Sequence, residues 1–324
     1  MRLEAEVRAA GLLAEGRPVV VLYSGGRDSS CLLDLAVRIA GGPNVTALHV
    51  NYGLRDTATE DERHCRGVCE RLGIELAVRH PRRPEAGNLQ AWARDVRYGE
   101  ATRLARGADI AAGHTATDQV ETILYRLASS PSRRALLGMR PREGSLIRPL
   151  LSYTREETAQ YCRGRALPWR EDESNQGDAF ARGRVRHQLV PALRTVHPAA
   201  EPNVLALAER LAEEADVLDA LVDELLSGRS EIRLAELRQL SVALQRLVVQ
   251  RLADDAAGKL APGVSRRCEE IAAMGDRAAL DLPGVRAITE DGVLSFVPGP
   301  RMRGPAGRRM RRPGPGRMRP GLPS

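Results

Sequence analysis

The chain has 324 residues, 28% of them charged, and a formal net charge of +7. This length is too great for one ordinary core of about 150 residues and predicts two domains. No run of about 20 apolar residues occurs, so no segment is expected to span a membrane, and the acidic N-terminal stretch does not resemble a secretory signal. Five cysteines without a CxxC pair indicate reduced thiols, as expected of a cytoplasmic protein.

The positive charge is concentrated at the C-terminal end. Residues 301–324 contain eight arginines and no acidic residue, which leaves 41 basic against 42 acidic residues in the rest of the chain. Gly, Pro and Arg dominate this segment, and such a composition cannot bury a core, so we predict a disordered tail. Two roles stay open for it: an unspecific anchor for phosphate groups, or a solvated extension that does little.

Residues 17–128 alternate short apolar runs with amphipathic stretches, which predicts strands followed by helices. The predicted strands are 19–23, 45–50, 75–78 and 109–112, and the predicted helices lie near 29–40, 57–72, 88–106 and after 117. This alternation is typical of a Rossmann-like α/β domain, in which helices cover both faces of a parallel sheet. Ligands of such sheets bind at the carboxyl ends of the strands, where Ser24, Asn51 and His114 are expected.

The rest of the chain has a different pattern. A loop-rich stretch is followed by a helix near 154–164, and from about Pro198 apolar residues recur at steps of three and four. This spacing predicts amphipathic helices, and so a smaller, mainly helical domain over 198–300. Two or three short strands are expected near its end, with Asp291-Gly292 as a hairpin turn. The first domain is predicted to span 1–197.

The loop after the first predicted strand, SGGRDS (24–29), has the composition of an anion site. Its small residues let backbone N–H groups approach a ligand before the next helix begins at Asp28 or Ser29. It is neither a GxxxxGK[ST] loop nor a GxGxxG fingerprint. An aspartate inside a phosphate loop repels the ligand unless a cation lies between them, so Asp28 predicts Mg²⁺. For SGG alone, a capped turn without a ligand is the alternative.

The whole loop resembles the pyrophosphate loop (PP-loop) of the N-type ATP pyrophosphatases. That family cleaves ATP to AMP and pyrophosphate and thereby activates a carbonyl oxygen, before a nucleophile displaces AMP. Its members include GMP and NAD synthetases, tRNA thiolases, sulfonucleotide reductases and tRNA(Ile)-lysidine synthetases. The resemblance implies that 1–197 is the catalytic domain, that Asp28 helps to hold Mg²⁺, and that ATP is bound by Ser24, Gly25, Gly26, Arg27, Asp28 and Ser29.

Four further stretches resemble the tRNA(Ile)-lysidine synthetases. They are LHVNYGLR (48–55), GNLQAWARDVRY (87–98), AAGHTATDQVETILYRL (111–127) and DESNQGDAFARGRVRHQLVPAL (172–193). The resemblance covers residues 17 to about 197. Two positions depart from the family pattern, because Thr117 stands where an aspartate is usual and Gly183 where an asparagine is usual.

Two carboxylates in the third of these stretches suit an ammonium ligand. If 117–127 is helical, Asp118 and Glu121 lie on one face of that helix. Arg94 and Arg97 are candidates for the carboxylate of the same ligand, because a guanidinium can bind a carboxylate through two hydrogen bonds. Lysine carries both groups. For the two acids, a solvated helix N-terminus is the alternative.

The resemblance implies the ligation of lysine to the wobble cytidine of the isoleucine tRNA with a CAU anticodon. ATP and Mg²⁺ are the expected cofactors, lysine and this tRNA the expected partners, and a homodimer stays open. Lysine contacts are implied at Arg94, Asp118 and Glu121, and we assign catalysis to Asp28, His114 and Asp118. RNA phosphates are expected at the basic cluster Arg182, Arg184 and Arg186, for which a solvated helix is the alternative.

Two other functions stay open. One is a tRNA thiolase of the same superfamily, which commonly needs a CxxC pair that this chain lacks. The other is a catalytically silent RNA-binding homologue. The acids at 28, 118 and 121 count against the silent homologue, whereas Thr117 and Gly183 count mildly for it.

Overall fold

The computed structural model describes residues 2–54, 56–130, 132–170 and 181–299. The chain forms two compact units, Met1–Glu213 and Glu214–Ser324. The division falls inside a long helix, Ala200–Leu226, whose start follows the boundary predicted after residue 197. The predicted disordered tail (301–324) lies outside the described residues and stays a prediction.

The first unit is built on a six-stranded, mostly parallel sheet. Its strands, in the spatial order β3-β2-β1-β4-β6-β5, are β1 (Val19–Leu22), β2 (Val45–Val50), β3 (Glu75–Arg79), β4 (Asp109–Ala111), β5 (Arg142–Glu143) and β6 (Leu146–Ile147). Neighbouring strands pair in parallel, except for the short antiparallel hairpin β5–β6. The strand order reverses at β1, so the carboxyl ends of β1 and β4 flank the switch point where ligands of such sheets bind.

Helices cover both faces of this sheet. They are α1 (Arg2–Ala9), α2 (Arg27–Ala40), α3 (Ala58–Leu72), α4 (Leu89–Ala105), α5 (Ala116–Ser129), α6 (Arg155–Gly164), α7 (Ala181–Arg184), α8 (Val190–Val196) and α9 (Ala200–Leu226), with a π-helical turn at Val185–Leu189 and 3₁₀ turns at Gly42–Asn44 and Arg133–Ala135. Residues of β1 alternate between the two layers, since Val19 and Val21 join the core of α2 and α6, whereas Val20 and Leu22 pack with Ala101 of α4. The predicted Rossmann-like fold is confirmed.

The predicted strands and helices of this unit agree with the structure to within about two residues at their ends, as patterns of this kind allow. One start is wrong: the helix after the loop begins at Arg27, not at Asp28 or Ser29. The reason is that Gly26 already has the extended N-cap conformation, with φ −78° and ψ 164°. The hairpin β5–β6 is absent from the prediction, because strands of two residues are too short to show a period.

The second unit combines helices with a four-stranded antiparallel sheet, ordered β7-β10-β9-β8. Its elements after α9 are β7 (Glu231–Arg233), α10 (Leu234–Gln239), α11 (Val242–Ala257), a 3₁₀ turn (Val264–Arg267), α12 (Cys268–Ala272), β8 (Ala278–Leu282), β9 (Val285–Glu290) and β10 (Val293–Pro298). Asp291 and Gly292 form the predicted hairpin turn with φ 49° and 75°, the signs that a type I′ turn requires. The helices and the three last strands were expected, and β7 adds a fourth strand.

Within the described ranges, no helix is long and apolar enough to cross a membrane. All five cysteines are buried free thiols. Cys65 and Cys69, one turn apart on α3, belong to the apolar core of the first unit, as expected for residues that pack a helix.

Candidate active site

The loop of residues 24–29 joins β1 to α2 at the carboxyl edge of the sheet. The hydroxyl of Ser29 donates to the carbonyl oxygen of Gly26 (2.8 Å) and lies 3.1 Å from the hydroxyl of Ser24, so the loop closes on itself. Gly26 caps α2 without a side chain, which leaves the positive end of the helix directed at the loop. The loop therefore has the shape and the polarity of an anion site.

Two glycines bring the ends of β1 and β4 together. Gly25 has φ +83°, a conformation that favours glycine, and a Cβ there would lie 3.0 Å from Sγ of Cys65 and 3.2 Å from Cδ2 of His64. A Cβ on Gly113 would lie 3.1 Å from the carbonyl oxygen of Asp28, which is backbone and cannot turn away. The chain after β4 therefore lies directly on the first turn of α2, and both strand ends contribute to one site.

Three of the predicted site carboxylates meet at one arginine, Arg155, at the start of α6. Its guanidinium lies 2.6 Å from Oδ1 of Asp118 and 3.3 Å from Oε1 of Glu121, and its Nε lies 3.6 Å from Oδ2 of Asp28. The Glu121 side chain is buried, and those of Asp28 and Asp118 are only 19% and 21% exposed. The structure thus joins the loop aspartate to the two acids of α5 in one half-buried cluster.

A second arginine, Arg186, completes this carboxylate cluster. It binds Glu121 through Nε (2.6 Å) and Nη2 (2.9 Å), and its Nη2 lies 3.8 Å from Oδ1 of Asp118. Burial disfavours the charged form of Arg186, but the hydrogen bonds and the charge of Glu121 outweigh it, and the pKa is raised. Arg182 and Arg184 are exposed on α7. The RNA contacts expected of these three arginines stay predictions, and in the structure Arg186 lies on the site carboxylates.

Asp118 also stabilises the helix on which it lies. Thr115 and Asp118 form a capping box at the start of α5, in which Oδ2 of Asp118 accepts hydrogen bonds from the N–H and the hydroxyl of Thr115, both 2.9 Å. Burial raises the pKa of Asp118, but the charge of Arg155 and the hydrogen bonds of Thr115 outweigh burial and lower it. Asp118 is therefore a charged helix cap whose other oxygen, Oδ1, binds a cation.

Helix α6 is fixed to α2 by buried polar contacts. The Asp34 carboxylate is buried and accepts hydrogen bonds from the hydroxyl of Tyr161 (2.6 Å) and from Nε of Arg165 (3.4 Å). The buried hydroxyl of Thr158 donates to Oδ1 of Asp28 (2.5 Å). Buried hydrogen-bonded groups of this kind define one arrangement, since leaving any of them unpaired costs about 1–3 kcal/mol. The start of α6 is thereby held beside the loop.

His114 and two arginines of α4 lie near the same edge. Burial lowers the pKa of His114 to about 4, because it outweighs the charge of Asp118, and nearby arginines that include Arg97 and Arg94 lower it further. Among the described residues, Nδ1 of His114 and Nε of Arg97 are buried without a hydrogen-bond partner. The guanidinium carbons of Arg94 and Arg97 lie 5.0 and 5.6 Å from the ring centre of Tyr98. The site therefore has a cationic side as well as an acidic one.

We expect the imidazole of His114 to titrate with a midpoint near pH 4. The unfolded chain takes up this proton near the ordinary value of 6.5, so the folded state loses stability as the pH falls from about 6.5 towards 4. Between pH 6.5 and 5 this contribution is about 1–2 kcal/mol, and His114→Asn should lack it. The test is an NMR titration of the ring, with unfolding measured at both pH values in parent and variant. A midpoint at the ordinary value would contradict the buried, neutral ring.

Arg155 and Thr158 are site residues to which no sequence motif points. Arg155 lies in the first turn of α6, where a cation opposes the helix macrodipole. An arginine in this unfavourable position is a signal that it has a partner elsewhere, and the partner proves to be the carboxylate cluster. The DESNQGDAF part of the fourth motif (172–180) lies outside the described residues, and its role stays a prediction.

Asp28 fits the role of a Mg²⁺ ligand beside a phosphate. Mg²⁺ in nucleotide sites is normally held by one or two carboxylates, phosphate oxygens and water. In the parts of the chain that the structure describes, no group of three or more His, Cys, Asp and Glu side chains could hold a metal ion. The carboxylate of Asp28 suits an ion that arrives with the phosphates of a nucleotide, because Asp28 lies in the loop itself.

A parallel sheet whose first strand ends in such a loop defines a nucleotide-binding α/β protein. The family described as "PP-loop domain" matches residues 2–193. A tRNA(Ile)-lysidine synthase of Chlorobaculum tepidum is 31% identical over 310 residues, which are 88% of this chain and 92% of that protein. The chain therefore belongs to the PP-loop family and, within it, to the group of tRNA(Ile)-lysidine synthases.

Other relatives are longer than this chain. A tRNA(Ile)-lysidine synthase of Thermus thermophilus is 36% identical over 317 residues, which are 94% of this chain and 61% of that protein. The chain thus spans about 61% of the length of this relative. Among solved structures, the U34-tRNA thiolase NcsA from Methanococcus maripaludis aligns with a TM-score of 0.54 and 20% identity, over 65% of this chain and 78% of that one. This similarity shows a shared fold.

Proposed function

We propose that this chain ligates lysine to the wobble cytidine of the isoleucine tRNA with a CAU anticodon and cleaves ATP to AMP and pyrophosphate. One observation carries the proposal: Asp28 of the loop and Asp118 and Glu121 of α5 surround the same cationic group. A carboxylate cluster next to a phosphate loop suits a substrate that brings its own positive charge to the activated base. The names of the relatives point to the same chemistry.

The loop supplies the ATP half of the reaction. The 2-oxo group of cytosine attacks the α-phosphorus, the bond to the β-phosphate breaks, and pyrophosphate leaves. Backbone N–H groups at Gly25 and Gly26 and the positive end of α2 stabilise the charge that develops on the leaving group. Mg²⁺ held by Asp28 would neutralise further charge on the same phosphates. Closing the loop through Ser24 and Ser29 fixes the N–H groups before the substrate arrives.

The carboxylate cluster supplies the lysine half. Asp118 and Glu121 bind the side-chain ammonium, and Arg94 and Arg97 bind the lysine carboxylate. After the ammonium loses a proton to water, the amine attacks C2 of the adenylated cytosine, the bond between C2 and the bridging oxygen breaks, and AMP leaves with that oxygen. His114 is neutral at physiological pH because of its low pKa, and an unprotonated ring nitrogen can therefore accept a hydrogen bond from the amine.

The two alternative functions have less support. A tRNA thiolase carries sulfur on reactive cysteines, whereas burial raises the pKa of the Cys65 and Cys69 thiols, the latter to about 12. Buried thiols of this kind are poor nucleophiles. A silent RNA-binding homologue would not need Asp28, Asp118 and Glu121 in one cluster, and burying charges without a function is unfavourable.

The proposal is tested by AMP formation with two tRNA transcripts that differ at the wobble base. With ATP, Mg²⁺ and lysine, we expect AMP and pyrophosphate with the CAU anticodon and none with UAU, since the 2-oxo group of cytosine is conjugated to an unprotonated N3 and a 4-amino group and is a stronger nucleophile than the 2-oxo group of uracil. AMP release with UAU alone would favour a thiolase-like acceptor and reject the proposal. No AMP with either transcript, from a protein that binds ATP, would favour the silent homologue.

If residues 301–324 anchor RNA, their deletion should weaken the binding of cognate and unrelated tRNAs about equally. Each lost phosphate contact should flatten the slope of log affinity against log salt by roughly 0.7–0.9. A full-length variant with the eight tail arginines changed to glutamine is the matched control, since it keeps the length and removes the charge. An unchanged salt slope in both proteins would leave the tail as a passive extension.

A further inference from the structure

We infer that Arg155 occupies the ammonium site while the nucleotide is absent, and that ATP draws its guanidinium away so that lysine can bind. The inference rests on the proposed lysine ligation and adds the order in which the two substrates bind, ATP before lysine. Arg155 is then a positioning residue that couples the phosphate loop to the lysine pocket.

Arg155 and an ammonium group would need the same oxygen atoms. Oδ2 of Asp118 is engaged by the capping box with Thr115, which leaves Oδ1 for a cation. Arg155 lies 2.6 Å from this Oδ1 and 3.3 Å from Oε1 of Glu121. A lysine ammonium between Asp118 and Glu121 cannot reach these oxygens until the guanidinium has left.

The charges of the carboxylate cluster are balanced by arginines. Arg155 and Arg186 balance the two acids of α5, Asp118 and Glu121, and the third acid, Asp28, has Nε of Arg27 at 3.2 Å from its Oδ1. A further cation bound at this half-buried site would therefore meet no uncompensated negative charge on the two acids of α5. When Arg155 leaves and Arg186 stays on Glu121, one negative charge is uncompensated, and one ammonium group restores neutrality.

The phosphate loop lies within reach of the Arg155 side chain. Nε of Arg155 is 3.6 Å from Oδ2 of Asp28, which belongs to the loop. ATP brings several negative charges to this loop, and guanidinium groups bind phosphate through two hydrogen bonds that are stronger than neutral ones. Arg155 therefore gains partners on the phosphates as it loses those on α5.

The rest of α6 is held in place while the side chain moves. The N–H of Arg155 donates to the hydroxyl of Thr117 (3.3 Å), and Thr158 donates to Asp28. Tyr161 donates to the buried Asp34 one turn further on. These contacts fix the backbone of α6. The guanidinium of Arg155 therefore leaves the α5 acids by rotation of its own long side chain.

The test is the affinity for lysine, measured by calorimetry with and without the uncleavable analogue α,β-methylene-ATP and Mg²⁺. In the parent protein, the analogue should tighten lysine binding at least about fivefold, and lysine should tighten binding of the analogue by the same factor. Arg155→Gln should bind lysine without the analogue about tenfold more tightly than the parent, and the analogue should then add less than about twofold. Arg163→Gln is the matched control on the same helix, because Arg163 is exposed and pairs with Glu156, and it should behave as the parent.

The outcomes separate the inference from the function on which it rests. Lysine binding in the parent that is equally tight with and without the analogue would overturn the inference and leave the function standing. Coupling that persists in Arg155→Gln would also overturn it. A parent protein that binds the analogue but never lysine would reject the proposed function, and the inference with it. Should Arg155→Gln fail to fold, the two parent measurements still decide.

Discussion

Asp28→Asn should abolish the formation of AMP and pyrophosphate, by at least about a hundredfold, in a protein that still folds. The carboxylate charge is what holds Mg²⁺ against the phosphates, and metal stabilisation of this kind contributes several kcal/mol to a transition state. The fold should survive because the amide oxygen of asparagine can still accept the hydrogen bond from Thr158. The measurement is cleavage of ATP at saturating tRNA and lysine, together with thermal unfolding.

A matched control for this variant is Asp95→Asn, which changes an exposed aspartate of α4. The control should cleave ATP at the parent rate. ATP cleavage by Asp28→Asn at a near-parent rate would reject the assignment of the loop aspartate, whatever the control does.

Asp118→Asn and Glu121→Gln should each weaken lysine binding by roughly 30- to several thousandfold, measured with the uncleavable ATP analogue present. Removing one partner of a half-buried charged pair typically costs about 2–5 kcal/mol, and each 1.4 kcal/mol corresponds to about a factor of ten. Affinity for ATP should not be weakened, because the phosphates are bound at the end of a different strand, and it should rise where the variant releases Arg155 from α5. Both affinities are measured separately on both variants.

The control for Asp118 is Glu157→Gln. Glu157 holds the same capping-box position in α6 as Asp118 holds in α5, but it is exposed. This variant therefore shows the effect of losing a capping carboxylate alone, which is expected to be below about 1 kcal/mol. If lysine affinity in Asp118→Asn and Glu121→Gln stays within about threefold of the parent, the lysine pocket lies elsewhere.

The sequence predicts the fold of the first unit well because its signals are local. Apolar runs such as Val19–Leu22 are buried on both faces of the sheet and are followed by amphipathic helices, so alternation alone indicates the parallel sheet. Because the carboxyl ends of parallel strands lie at the same edge of a sheet, the sequence also predicts that the loop and His114 lie at one edge. Short elements such as β5 and β7 are not predictable in this way, because two or three residues show no period.

The cluster itself is only half predictable. Asp118 and Glu121 share a helix face, so their proximity follows from helix geometry. Arg155 is 37 residues away from Asp118 in sequence and reaches it only because α6 packs on α2. The alternative given for Asp118 is a solvated helix N-terminus, whereas its side chain is only 21% exposed, with one oxygen on the N–H of Thr115 and the other on Arg155.

The most direct test of the account is the transfer of lysine itself. The protein is incubated with ATP, Mg²⁺, labelled lysine and a transcript of the isoleucine tRNA with a CAU anticodon, and the RNA is then separated and counted. We predict label in the RNA that depends on ATP and disappears in Asp28→Asn and when the wobble cytidine is replaced. RNA that stays unlabelled, while the same protein binds ATP, lysine and the transcript, would contradict the account.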